Sequence, residues 1–169
     1  MQFSIAEAQK RVGEIFPVSG TLHPEGETWY GRTLVFRSPV SLKGEYVFDS
    51  GTVTVNGVIE AEVEDRCSRC GKPVLVPLRM PFSERFTKNG ADEDGESYEF
   101  SGDVVCLDRM VMDQIFLSYP MTPLCREDCK GLCPVCGADR NVTDCGCASP
   151  APENPFAVLR QITNNDKEV

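Results

Sequence analysis

The cysteines constrain this chain more than any other feature, because eight of the nine fall at the short spacings that metal ligands use. Six of them form one run, Cys125-x3-Cys129-x3-Cys133-x2-Cys136-x8-Cys145-x-Cys147, and the pair Cys67-x2-Cys70 stands far upstream. Thiolates at such spacings can converge on one tetrahedral cation where the intervening loops are short. A glycine follows each Cys-x2-Cys pair and allows the tight turn that such a loop needs. The spacing therefore predicts metal binding.

Disulfides, redox chemistry and iron are the alternatives to structural zinc. An odd number of cysteines argues against a complete disulfide framework, and the N-terminal residues lack the apolar core of a secretory signal. A redox dithiol usually accompanies a βαβ pattern, which is not evident in this sequence. Iron stays open, since thiolates also hold iron. We predict structural zinc and keep redox chemistry and iron as the alternatives.

Size and charge limit the classes of partner. The chain has 169 residues with 17 basic and 26 acidic side chains, a net charge of −9, and can bury one core with a small appended module. Affinity for nucleic acid depends largely on basic side chains, so the whole chain is poorly suited to bind RNA. The segment from Arg66 to Lys88 is an exception, with six basic residues and one acid. It predicts either a contact surface for RNA or an acidic partner, or a solvated strand face.

Alternating apolar and polar residues from about Leu42 to Phe86 predict an antiparallel β-meander. The Cys67 and Cys70 pair falls between two of these strands and is expected at a hairpin tip. No apolar run approaches the roughly 20 residues that a membrane-spanning helix needs.

Helices are predicted on either side of the meander. A capping box at Ser4 predicts a short N-terminal helix that ends at Pro17. Asp103 is expected as the N-cap of a helix through about Ser118, with Cys106 as a buried apolar thiol in its first turn. The predicted fold class is thus α+β, an antiparallel β-meander packed against helices with a small cysteine-rich zinc module.

Three regions are predicted along the chain. Residues 1–120 form an α+β core domain, residues 121–148 a zinc-binding cysteine-rich module, and residues 149–169 a linker with a short C-terminal helix. Asn154 and Pro155 would begin that helix as its N-cap and first residue.

The same residues resemble a known family, the YceD family. The hairpin pair within Asp65 to Pro73 resembles its upstream half, and the run from Cys125 through Asn141 to Cys147 resembles its downstream half. The segment Asn154 to Leu159 is similar to its C-terminal signature. The similar segments span almost the whole chain and follow the family's order.

The resemblance implies a role in accumulation of the large-subunit ribosomal RNA, in bacteria and in plant organelles, and no established catalytic activity. It therefore predicts a protein that is not an enzyme, with no small-molecule substrate and no membrane contact. The direct partner would be a ribosomal protein, an rRNA-processing factor or rRNA. The acidic balance favours a basic ribosomal protein. The absence of a transit peptide in the sequence predicts a cytoplasmic, bacterial form.

Two zinc ions are expected on the eight spaced cysteines. The predicted pairing places one ion on Cys133, Cys136, Cys145 and Cys147, because these close a local loop. It places the other on Cys67, Cys70, Cys125 and Cys129. The resemblance supports this division, because it implies that some members of the YceD family lack the last four cysteines. The alternative pairing joins the two Cys-x2-Cys turns on one ion.

The alternative function is a zinc-thiolate redox sensor, and an enzyme is disfavoured because four-thiolate sites are closed.

Overall fold

The alternating segment that begins near Leu42 forms the centre of the fold in the computed structural model, which describes residues 1–24, 28–29, 32–88 and 97–148. The strands and the helix of these residues are, in chain order, β1 (Gln2–Ser4), β2 (Ile15–Leu22), β3 (Thr28–Trp29), β4 (Arg32–Thr33), β5 (Val35–Phe36), β6 (Val40–Asp49), β7 (Thr52–Arg66), β8 (Pro73–Lys88), β9 (Tyr98–Phe100), β10 (Val104–Cys106) and α1 (Asp108–Ser118).

One sheet dominates the described residues. Its order is β2-β6-β7-β8-β9, with β5 pairing to β7 beyond the end of β6. The neighbours are antiparallel except for β9, which runs parallel to β8. Two small pairs accompany the sheet, β1 with β10 and β3 with β4. The predicted antiparallel meander from Leu42 to Phe86 is confirmed, and β7 and β8 form a long hairpin whose tip carries Cys67 and Cys70.

The meander forms because its apolar side chains repeat every second residue and so share one face. Val53, Val55 and Ile59 of β7 are fully buried, and Phe86 of β8 is buried with them. The helix α1 covers this face through Met110, Val111 and Ile115, all fully buried. These residues belong to one continuous core.

Strands β6 and β7 approach each other closely at two glycines. Gly44 pairs with Gly57 across the strands. A Cβ atom on Gly44 would lie 2.1 Å from the carbonyl oxygen of Asn56 and 2.8 Å from the Cα of Gly57. The close approach therefore requires glycine at this point of the sheet.

The predicted α+β class is wrong, since the described residues are mostly β, with 49% in strands and 8% in the helix α1. The main reason lies at the N-terminus. Ser4 accepts a hydrogen bond from the Ala6 amide at 3.3 Å, but the helical hydrogen bonds that follow extend over only a short series of turns. Gly13 then adopts a left-handed φ of +80° and donates to Phe48. The chain continues as β2, in which the Pro17 expected to end a helix pairs with β6.

The helix begins four residues later than predicted, with Leu107 rather than Asp103 at the N-cap position and Asp108 as its first residue. The intervening residues form β10, because their backbone pairs with β1 near the N-terminus, about a hundred residues earlier. Strand alternation buries Val105 and turns the flanking side chains outward, so Cys106 is exposed rather than buried as predicted. The C-terminal helix predicted from Asn154 lies outside the described residues. Within the described residues, no helix combines the length and the hydropathy needed to cross a membrane.

Candidate metal centres

The first cluster consists of four thiols from two distant parts of the chain. The hairpin tip between β7 and β8 supplies two of them, and the segment after α1 supplies two more. All four sulfurs lie within 4.8 Å of one another, and the cluster comprises Cys67, Cys70, Cys125 and Cys129. All but Cys125 are buried.

The sulfur separations in the first cluster fit a metal ion better than disulfides. Cys67 Sγ lies 3.8 Å from Cys129 Sγ, and Cys70 Sγ lies 3.7 Å from Cys125 Sγ. A disulfide requires about 2.05 Å. Zinc–sulfur bonds of about 2.3 Å in a tetrahedron place the sulfurs about 3.8 Å apart. These two separations therefore match those of a tetrahedral zinc–thiolate site.

The second cluster is local and more open. Its sulfurs also lie within 4.8 Å of one another, and it comprises Cys133, Cys136, Cys145 and Cys147. Cys133 is buried, whereas Cys136 and Cys147 are exposed. The structure thus brings the eight cysteines together in the two groups of the predicted pairing, and Cys67 is not grouped with Cys133. That the eight thiols bind metal stays a prediction.

The two Cys-x2-Cys turns share one backbone hydrogen-bond pattern. The Cys67 amide donates to the Lys72 carbonyl at 2.8 Å and the Gly71 amide to the Cys67 carbonyl at 2.8 Å. At the second turn the Cys133 amide donates to Ala138 at 2.8 Å and the Gly137 amide to Cys133 at 2.9 Å. The glycines have φ values of +70° and +74°, which glycine adopts without strain. The sequence spacing therefore encodes the same turn twice.

Each cluster contains a thiol whose pKa is lowered to about 6, and in the first cluster the pKa of Cys129 is lowered as well. Backbone hydrogen bonds, the largest from the Cys125 residue, lower the pKa of Cys67 to about 6. The backbone of Cys136 likewise lowers the pKa of Cys133 to about 6. The pKa of Cys125 is raised to about 12, mainly because the thiol loses hydration and also because it forms hydrogen bonds with neighbouring thiols.

Cys147 is the corresponding high-pKa thiol of the second cluster. Hydrogen bonds with Cys136 and Cys145 raise its pKa to about 12. Four thiols in contact cannot all ionise unless a cation offsets their charge. Each cluster therefore resembles a site that becomes fully anionic only when a metal ion is bound.

The hairpin tip docks closely against the cysteine-rich segment. Arg69 donates through Nη1 to the carbonyl oxygen of Cys129 at 2.8 Å, and its own carbonyl accepts from the Leu132 amide at 3.1 Å. Ser68 donates through its amide to the Pro123 carbonyl at 2.8 Å. Gly131 packs on Arg69 with a φ of +72°. These contacts hold the two halves of the first cluster together.

Three residues of the basic segment that sequence analysis singled out have partners within the chain. Besides Arg69, Lys72 forms an ion pair with Asp139 in which Nζ lies 2.7 Å from Oδ2. Arg79 lies 3.7 Å from Glu60. The Lys72 and Arg79 side chains nevertheless remain 55% and 75% exposed.

Asn141 is a site residue whose role sequence analysis missed. It belongs to the loop between Cys136 and Cys145 of the second cluster, yet its Nδ2 donates to Cys129 Sγ of the first cluster at 3.5 Å. Nδ2 also donates to Asp139 Oδ1 at 2.7 Å. Its presence between the cysteines was visible in the sequence, but its partner on another cluster depends on the fold.

Comparison with known proteins places these residues within one family pattern. Residues 55–163 match the family described as "Large ribosomal RNA subunit accumulation protein YceD". The matched range contains all eight clustered cysteines. No solved structure matches the chain.

Three relatives of this chain share between 20% and 28% sequence identity with it. An uncharacterized protein of Mycobacterium tuberculosis is 28% identical over 145 residues, which cover 81% of this chain and 69% of that protein. A protein of Zea mays is 22% identical, covering 85% of this chain and 58% of its own length. It carries the name large ribosomal RNA subunit accumulation protein YCED homolog 1, chloroplastic. An Arabidopsis thaliana protein of the same name is 20% identical, covering 74% of this chain and 49% of its own length.

Proposed function

The chain belongs to the YceD family, and we propose that it is a non-catalytic, zinc-binding factor that promotes accumulation of large-subunit ribosomal RNA. The observation that carries the proposal is the family match over residues 55–163, which includes both cysteine clusters. The family's description and the names of the two plant relatives concern the same process. A factor of this kind binds partners and needs no small-molecule substrate.

The donor set supports zinc as the metal. Four thiolates are a frequent structural zinc set, and such a site has no open position for a substrate. When bound, zinc would neutralise part of the thiolate charge and join the hairpin tip to the segment after α1. Iron binds the same donors. Elemental analysis of protein purified without added metal tests the choice, and one or two iron atoms per chain would refute zinc.

The charge of the protein supports a basic partner. Its formal net charge is −9. Eight thiolates would add eight negative charges and two zinc ions would return four positive ones, giving about −13. Such a surface attracts basic ribosomal proteins more than phosphate backbones. We propose that the direct partner is a ribosomal protein or processing factor, and that the protein acts in the cytoplasm, where thiols stay reduced.

Depletion and complementation test the proposed function. Cells depleted of the protein should contain less large-subunit rRNA relative to small-subunit rRNA. The wild-type gene should restore the ratio, and a variant with Cys67 and Cys70 replaced by serine should not. Affinity capture from the complemented cells then identifies bound proteins and RNA. An rRNA ratio that does not change on depletion would refute the proposal.

A zinc-thiolate redox sensor is the second candidate, and the exposure of the second cluster favours it. Exposed thiolates oxidise more readily than buried ones, and Cys136 and Cys147 are both exposed. Titration with peroxide should then release one zinc ion while the buried first cluster keeps its own. Release of zinc only on unfolding would leave both clusters purely structural.

A further inference from the structure

Asn141 connects the two clusters in an unusual way, because the loop of one cluster supplies a hydrogen bond to a sulfur of the other. Asn141 lies among the eight residues between Cys136 and Cys145, and its Nδ2 donates to Cys129 Sγ at 3.5 Å. The loop that carries Asn141 therefore begins and ends at cysteines of the second cluster, while the Asn141 side-chain amide contacts the first cluster.

The hydrogen bonds of Asn141 fix which way its amide faces. Oδ1 accepts from the Lys130 amide at 2.8 Å and from Arg126 Nη2 at 2.9 Å. Both partners are donors, so this position must be the oxygen, and the nitrogen must face Cys129 and Asp139. All four hydrogen-bonding positions of the side chain are then used. The donor to Cys129 is thus held in one orientation by the rest of the network.

Asp139 fastens the same loop to the hairpin tip. Its Oδ1 accepts from the backbone N–H of Asn141 at 2.9 Å, and its Oδ2 forms an ion pair with Lys72. Lys72 lies two residues after Cys70, and its carbonyl oxygen accepts a hydrogen bond from the Cys67 backbone N–H. The loop therefore contacts the Cys129 half of the first cluster through Asn141, and the hairpin tip that carries Cys67 and Cys70 through Asp139.

We infer that Asn141 is a positioning residue of the first cluster, and that metal bound at the second cluster strengthens metal binding at the first by fixing the loop that carries Asn141. The inference rests on the metal-binding part of the proposed function. A hydrogen bond to a ligand sulfur stabilises the thiolate over the thiol. Residues that orient metal ligands typically contribute about 10- to 100-fold to metal affinity. A metal ion bound at both ends of the loop restricts its conformations, so less conformational entropy is lost when Asn141 is held against Cys129.

Cadmium binding to the full-length protein tests the inference, since cadmium NMR gives a separate resonance for each cluster. Chelator competition followed at each resonance then yields two affinities. The proteins compared are the wild type, Asn141→Ala, the double variant Cys145→Ser with Cys147→Ser, and the combination of all three changes. Thr143→Ala is the matched control, because Thr143 is an exposed residue of the same loop.

Asn141→Ala should weaken the first site about tenfold or more and shift its cadmium resonance, while the second site and the Thr143→Ala protein stay as in the wild type. Asn141→Asp should act in the same direction, because it keeps the oxygen that accepts from Lys130 but loses the N–H donors. The double variant Cys145→Ser with Cys147→Ser should lower the cadmium affinity of the first site when Asn141 is present. The same double variant should lower that affinity much less in the Asn141→Ala background.

Two outcomes would overturn the inference. One is a first site whose affinity and resonance are unchanged in Asn141→Ala and Asn141→Asp. The other is an effect of emptying the second cluster that is equally large with and without Asn141. A wild-type protein that binds no metal would instead refute the metal-binding part of the proposed function and remove the premise with it, so the two failures are distinguishable.

Discussion

Replacing Gly131 by alanine should weaken the docking of the hairpin tip on the cysteine-rich segment. Gly131 has a φ of +72°, and an added Cβ would lie 2.9 Å from the carbonyl oxygen of Arg69. The left-handed conformation costs alanine about 1–2 kcal/mol. Relieving the overlap requires movement of the Arg69 carbonyl, which accepts the Leu132 amide, and loss of that hydrogen bond costs about 0.5–1.5 kcal/mol.

The chain offers a matched control in Gly13. Its φ of +80° is similar, but a Cβ there would meet nothing within 4 Å. Gly13→Ala therefore carries the conformational cost without the overlap, and the loss of unfolded-state entropy is the same in both variants. The free energy of unfolding should fall by about 1 kcal/mol more in Gly131→Ala than in Gly13→Ala.

Urea unfolding of the zinc-loaded proteins, followed by circular dichroism, measures the difference. A gap of about 1 kcal/mol moves the midpoint by about 0.5 M when the slope is about 2 kcal/mol per molar. Hydrogen exchange at the Leu132 amide should also quicken in Gly131→Ala alone. Equal midpoints for the two variants would refute the argument that the Arg69 carbonyl makes glycine necessary at residue 131.

Three further predictions follow from the sheet and the clusters. Gly44→Ala should abolish folding or cost more than about 4 kcal/mol, because its Cβ would meet backbone atoms at 2.1 and 2.8 Å. Gly51→Ala is the comparison, because it has open space but a left-handed φ of +86° and so should lose only the conformational cost of about 1–2 kcal/mol. A near-normal melting temperature for Gly44→Ala would contradict the reasoning. Replacing Cys145 and Cys147 by serine should lower the zinc content from two ions to one and leave the first cluster metallated, as elemental analysis and NMR of the Cys67 and Cys70 region can show; loss of both ions would contradict the division into two sites. Zinc binding at pH 8 should release protons, because the pKa values of Cys125 and Cys147 are raised to about 12. Affinity should fall further below about pH 6, where Cys67 and Cys133 also take up protons. Calorimetry in buffers of different ionisation enthalpy measures this release, and proton-free binding at pH 8 would contradict it.

The long hairpin could be predicted because its signal is local and repeated. Each strand shows the two-residue period over many positions, and the Cys67 pair interrupts the pattern at the tip. The grouping of the cysteines followed from spacing and from the family resemblance in the same way. In both cases the residues that decide the structure are near neighbours in sequence or carry a distinctive chemistry.

The helices were overpredicted because their competitors are distant in sequence. The Ser4 hydroxyl accepts from the Ala6 amide, not from the Glu7 amide that a capping box requires, and the chain beyond Gly13 pairs with β6, about thirty residues away. Residues 104–106 likewise pair with β1, about a hundred residues away. No local pattern around Asp103 reveals that pairing. The same limit applies to Asn141, whose bond to Cys129 arises only after the loop of the second cluster lies beside the first.

The two clusters enclose very different lengths of chain, and this sets the scale on which each metal ion would act. Cys67 and Cys129 are 62 residues apart, so an ion between them would turn β8, β9, β10 and α1 into a single closed ring. Cross-linking a ring of that length restricts the unfolded chain by about 4 kcal/mol, against about 3 kcal/mol for the short ring from Cys133 to Cys147. A chelator that empties the short ring would free a surface loop. One that opens the large ring would lift the restriction on the unfolded chain and lower the free energy of unfolding by about 4 kcal/mol, so the cell's zinc supply would bear on the lifetime of the whole fold.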